Sequence, residues 1–248
     1  MRHRSWSFTS LIPLLLILSA TPAVAQTSPD FLFGRPAGMI GVRSGWVFAS
    51  AKSDLFTFVQ DQLTVDRKDF NAPAIGFDVD LVVTPRASAI VGFDFSQSSK
   101  NSEYRDFVDD RRLPIRQTTS LREMNLTGSI KFALTPRGRE ISSRAWIPAA
   151  ATPYVGAGGG VLRYRFLQHG DFIDVDDFSV FADTFRSEGW TPSAHVFGGV
   201  DVKVWKRMYV SGEARYLWAN ATPGSDFIDF DPIDLAGFKV TAGVHYLF

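Results

Sequence analysis

Apolar and polar side chains alternate with a period of two along eight stretches of the chain, each about ten residues or a little longer. The first, 38–50, sets Ile40, Val42, Trp46 and Phe48 against Gly41, Arg43 and Gly45. In the second, 73–84, Ile75, Phe77, Val79, Leu81 and Val83 face away from Gly76, Asp78 and Asp80. The third, 88–98, opposes Ala89, Val91, Phe93 and Phe95 to Gly92, Asp94 and Ser96, and the fourth, 121–135, opposes Met124, Leu126, Ile130, Phe132 and Leu134 to Glu123, Asn125, Thr127, Ser129 and Lys131. The fifth, sixth and seventh cover 153–166, 192–205 and 208–219. The last, 237–248, carries Phe238, Val240, Ala242, Val244, Tyr246 and Phe248 on one face and Lys239, Thr241, Gly243 and His245 on the other. Segments of this length with two unlike faces fit tilted strands that cross a bilayer.

The connections carry a second regularity, because long polar stretches alternate with mostly tight turns such as 84–87 and 206–207. Together these features predict an all-β fold, an eight-stranded antiparallel up-and-down transmembrane β-barrel with both chain ends on one side. The exception is 136–152, a long basic connection on the short-turn side, for which a flap over the turns is the plain expectation. Parity places Asp78, Asp80, Asp94, Glu123, Asp201 and Glu213 in the lumen with Arg43, Lys131, Arg163, Arg165, Lys203, Arg215 and Lys239, six acids against seven bases. A soluble ligand carrier would have the reverse polarity, apolar within and polar without. Eight strands enclose a space that side chains can fill, and charges packed there must be paired. The expectation is therefore a plugged lumen, with a narrow channel lined by the same charges as the alternative. On neighbouring strands, parity offers Lys203 to Glu213 and Asp201 to Arg215 as contacts.

Residues 1–25 combine Arg2 and Arg4 with the apolar run LIPLLLILSA and an Ala23-Val24-Ala25 end, the pattern of a cleaved secretory signal peptide. The expected organisation is then 1–25 signal peptide, 26–37 a short N-terminal periplasmic segment, and 38–248 the barrel. Cleavage would leave a formal charge of 24 − 26 = −2, which speaks against a nucleic-acid partner. With no cysteine, neither disulfides nor thiol chemistry enters.

The closing stretch GFKVTAGVHYLF resembles the last strand of bacterial outer-membrane barrels, whose insertion signal is a terminal Phe preceded by alternating aromatic and apolar residues. Val240, Val244, Tyr246 and Phe248 occupy those positions here. TPYVGAGGGVLRYRF at 152–166 is similar to the Pro-Tyr-x-Gly-x-Gly-x-Gly strand of the small barrels typified by outer membrane proteins A and X, and 197–218 resembles their penultimate hairpin. The resemblance implies outer-membrane lipid around the barrel, recognition of the C-terminal strand by the barrel-assembly machinery, chain ends in the periplasm and long loops outside the cell.

Candidate chemistry is sparse. Mature-chain histidines are His169, His195 and His245, with no His-x-Ser pairing of the lipid-deacylating kind, so no catalytic residue and no cofactor is expected. The acidic pairs Asp109-Asp110 and Asp176-Asp177 suit solvated loops. GDFIDVDD at 170–177 is echoed by SDFIDFDP at 225–232; extension of the strands is favoured over a cation site. The functional expectation is a structural or surface-interaction barrel acting through its external loops.

Overall fold

The computed structural model describes residues 31–248 except Asp110, Ser143, Val175, Asp176 and Phe178. The expected signal peptide and residues 26–30 lie outside the described residues, as do Asp110 and Asp176 of the acidic pairs. Eight antiparallel strands close into a barrel. They are β1 (Gly38–Ala49), β2 (Ala72–Val82), β3 (Ala87–Val108), β4 (Pro114–Ala133), β5 (Ala151–Ile173), β6 (Val180–Lys203), β7 (Met208–Trp218) and β8 (Gly237–Leu247). Each pairs with its sequence neighbour, and β8 pairs with β1 from Gly237↔Ala49 to Leu247↔Met39.

The stagger follows from the register. Stepping from Arg163 through Met124, Phe95, Ile75, Ser44, Ala242, Gly212 and Val200 returns to Pro153 on the starting strand, a shear of 163 − 153 = 10 residues. With ordinary strand spacing and rise, that shear tilts the strands by about 40° and gives a barrel radius of about 8 Å. A tube this narrow leaves room for side chains and little else.

Outward positions on the short-turn half are apolar and exposed, among them Ile40, Val42, Ile75, Phe77, Val91, Phe93, Leu126, Ile130, Val196, Val210, Val244 and Tyr246. The strands β3 to β6 run far beyond this band, with 22, 20, 23 and 24 residues against 11 or 12 for the other four. Two of the expected long loops are thus the tight tips of extended hairpins, closing at Val108↔Pro114 and Ile173↔Val180. Beyond Arg165 the four strands project by about 20 Å as an open sheet, taking eight residues at the tilted rise.

Both mouths are stoppered. At the long-loop end the β1–β2 connection forms a helix, α1 (Asp54–Gln62), whose Leu55, Phe56 and Val59 are fully buried. They pack with Phe70, with Leu121, Leu162, Tyr164 and Phe166 from the wall, and with Phe227, Ile233 and Leu235 from the β7–β8 connection. Phe56 meets Phe70 at 4.7 Å and Phe166 at 5.8 Å, both edge to face. At the short-turn end the connection after β4 folds as strands Gly138–Ser142 and Ala145–Pro148, which join Leu32–Phe33 in a separate three-stranded sheet. Leu32 and Trp146 pack on Met39, Tyr209 and Leu247 at the barrel rim. The flap expected from 136–152 is therefore a small sheet that also captures the segment before β1.

Candidate functional site

The lumen between the two stoppers holds the charged residues, and its centre is Arg43. The Arg43 guanidinium meets Asp78 at 2.9 Å, Glu213 at 3.0 Å and Asp94 at 3.3 Å, with the side chain 4% exposed. Arg215 bridges Glu213 at 2.9 Å and Asp94 at 3.4 Å, and Lys239 reaches Asp94 at 3.0 Å. The Tyr154 hydroxyl donates to Glu213 at 3.2 Å, while its ring lies 4.1 Å from the Lys131 ammonium. Lys131 in turn holds Asp201 at 2.7 Å and Asp80 at 3.1 Å. Arg137, from the flap, donates to Ser88 at 2.8 Å and approaches Asp80 at 3.9 Å. Among the described residues these ion pairs form two clusters, three bases with three carboxylates around Arg43 and two with two around Lys131, joined through Tyr154, and the formal charge of each cancels. Charges this deeply buried remain in place only where each is paired.

Not every residue expected in the lumen reaches this network. Glu123 lies inward and accepts from Ser96 at 3.4 Å, while Lys203, opposite Tyr209 near the short-turn mouth, is engaged in an interaction of its own. The register sets Glu213 opposite Gly199 and Arg215 opposite Phe197, and the partner of Asp201 is Lys131, two strands away, rather than the expected Arg215. Arg163 and Arg165 point out of the barrel, which corrects their placement in the lumen. The reason is that the solvent rule inverts above the apolar outer band. There the inside is filled by the apolar stopper, so Leu162, Tyr164 and Phe166 turn in and the arginines between them turn out.

The acidic echo also separates into two roles. Gly170–Ile173 continue β5, whereas 225–227 form a short 3-10 turn that buries Phe227 in the stopper. Asp226 accepts the backbone N–H of Arg186 at 2.9 Å, and Asp234 those of Lys52 at 3.2 Å and Ala236 at 2.9 Å. A Ser–His pair that sequence spacing did not suggest, Ser129 Oγ to His195 Nε2 at 2.8 Å, lies inside the barrel. His195 is 1% exposed and its Nδ1 meets no carboxylate, so the pair has neither access to substrate nor an orienting acid.

An eight-stranded antiparallel barrel with an apolar outer band and a charged lumen is the fold of the small outer-membrane barrels. Among solved structures the chain is similar to Neisserial surface protein A, at 11% identity over 89% of this chain and 98% of that one, with a TM-score of 0.50. It is also similar to the outer membrane protein OprG from Pseudomonas aeruginosa, at 11% identity over 88% and 99% of the two chains, with a TM-score of 0.48. No protein-family model matches the chain, and no curated protein matches it. At such identity the likeness is one of fold.

Proposed function

We propose that the protein is an outer-membrane barrel that acts as a structural and surface-interaction element, with a lumen that does not conduct. The observation that carries this reading is closure at three levels, by the apolar stopper around Phe56, the neutral ion-pair layer around Arg43, and the flap beneath Tyr209. What the barrel offers to the outside is the projecting sheet. Its tips carry exposed Val108 and Leu113 on one hairpin and Val180 and Phe181 on the other. Its edges are shielded, on the β3 side by Thr64 N–H donating to the Glu103 carbonyl and on the β6 side by Arg186 N–H donating to the Asp226 carboxylate. Edge shielding favours recognition by side chains over strand addition.

In this reading the leader 1–25 directs export, and the C-terminal strand is the handle for the assembly machinery. Phe248 lies at the closing seam, its carbonyl accepting from Ala37 N–H at 2.9 Å. Planar-bilayer recording of the purified, refolded protein tests the reading. A silent barrel is the expected result; sustained ohmic steps in the nanosiemens range would overturn it in favour of a narrow channel.

A further inference from the structure

The displaced arginines do not scatter over the surface. Arg122 stands opposite Arg165 and Met124 opposite Arg163 on neighbouring strands, and together they line an outward cavity of about 120 Å³ on the barrel wall. Arg165 is paired with Glu188 at 2.6 Å, Arg122 donates to the neutral Gln97 at 3.0 Å, and Arg163 lies over the Trp190 ring at 5.8 Å. One carboxylate therefore faces three guanidinium groups. Arg186, two residues from Glu188 on the same face of β6, adds a fourth, with the Asp226 carboxylate on its backbone N–H at 2.9 Å. With Glu188 pairing only one of the three, the cavity keeps an excess of positive charge that a further anion would offset.

Their height says which anion. The outward residues one step below are Phe93, Leu126, Val161 and Pro192, an unbroken apolar row. The ten residues from Pro153 to Arg163 rise about 25 Å at the strand tilt, the height of the apolar band of an outer-membrane barrel. The arginines thus form the first charged level above hydrocarbon, beside Trp190, which is 66% exposed as an interfacial aromatic is. Guanidinium groups bind phosphate oxygens in bidentate fashion.

Resting on the outer-membrane reading above, we propose that this cavity holds the phosphate monoester of an outer-leaflet lipid, with an acyl chain running down over Leu126 and Val161. The open apolar floor at Met124 selects an amphiphile over free phosphate.

The test is native mass spectrometry of the full-length barrel released from nonionic micelles after titration with dioleoyl phosphatidic acid. A single retained lipid is expected. R122Q/R163Q/R165Q should weaken binding by on the order of a hundredfold, roughly fivefold for each arginine. R105Q/R111Q/R116Q, in the projecting hairpin, should leave it unchanged. Single R163Q gives the same direction with one outward side chain altered. Unchanged binding in the triple cavity variant, equal affinity for dioleoyl phosphatidylcholine, or inorganic phosphate binding as tightly as the lipid would each overturn the site. If the wild type lacks heat-modifiable migration on a denaturing gel, the outer-membrane reading falls and the site with it. Unchanged binding in a cavity variant that keeps that migration overturns the site alone.

Discussion

Replacing Arg43 by methionine removes the cation that touches three carboxylates at once, and the neighbours that remain set the cost. Asp78 would keep His245 at 3.2 Å, Asp94 would keep Arg215 at 3.4 Å and Lys239 at 3.0 Å, and Glu213 would keep Arg215 at 2.9 Å and the Tyr154 hydroxyl at 3.2 Å. Asp78, Asp94 and Glu213 would then face only Arg215 and Lys239 as fixed cations, which leaves one buried charge uncompensated. Breaking a buried pair in this way costs about 3–5 kcal/mol. For an m-value near 2 kcal/mol/M, the urea midpoint should fall by about 2 M. Arg215→Met should sit at the low end of the same range, since Arg215 meets Glu213 and Asp94 but not Asp78. Arg111→Met, at the hairpin tip, should stay within about 0.5 kcal/mol of wild type. Tryptophan fluorescence of the barrel unfolding from micelles reads all three variants. Adding Glu213→Gln to Arg43→Met restores the balance of charge and should recover part of the loss. Equal midpoints for Arg43→Met and Arg111→Met would refute a packed, paired interior.

Three further outcomes follow from the geometry. A Cβ at Gly156 would meet the Phe197 ring and the Ile130 carbonyl, while one at Gly128 meets nothing within 4 Å; Gly156→Ala should cost roughly 1–3 kcal/mol and Gly128→Ala less than about 0.5 by urea midpoint. Phe56→Ala should speed hydrogen exchange in α1 and cost about 3–5 kcal/mol, yet leave planar bilayers silent, because the Arg43 layer below remains shut. Burial disfavours the Asp69 carboxylate, but the Asp66 N–H at 2.9 Å and the Lys100 ammonium at 3.2 Å outweigh it and hold its pKa below 3.8. A depressed folded pKa stabilises above the unfolded value and is lost as pH falls through the folded one, so the turn Arg67–Phe70 should loosen only below about pH 3.8; an NMR midpoint for Asp69 above 3.8 would contradict this.

What alternation revealed, it revealed where two solvents meet the wall. On β1, β2, β7, β8 and the lower halves of β3 and β4, an apolar outer face and charge inside make side-chain parity unambiguous, and the strands lie where the pattern puts them. Above the apolar outer band the pattern fades, because the projecting sheet no longer separates an apolar outside from a polar lumen. Ser98, Ser99, Asn101 and Thr118 to Ser120 carry no apolar face, so the extensions of β3 and β4 read as loop. The stopper did leave a trace. Leu55, Phe56 and Val59 have helical spacing behind Asp54 in the first turn, a periodicity of 3.6 inside a chain otherwise read in steps of two.

Pairing in the lumen was illegible for a different reason. Parity assigns a side chain to the inside but not to a height, and height is set by shear, a property of the closed barrel rather than of any strand. With ten residues of stagger, side chains from strands far apart in the chain reach one level: Arg43 meets Glu213 across a separation of 170 residues and Lys131 meets Asp201 across 70. Contacts drawn between adjacent strands alone, such as Asp201 to Arg215, ignore that reach. The charge balance is less sensitive to it. Parity expected seven bases for six acids; Arg163 and Arg165 leave the lumen and Arg137 enters from the flap, and the lumen ion pairs seen among the described residues, which include neither Glu123 nor Lys203, join five bases to five acids. Pairing is required by the low dielectric of a filled barrel whichever partners meet, so a near balance of charge along the inward faces reports a paired interior even where it does not report a contact.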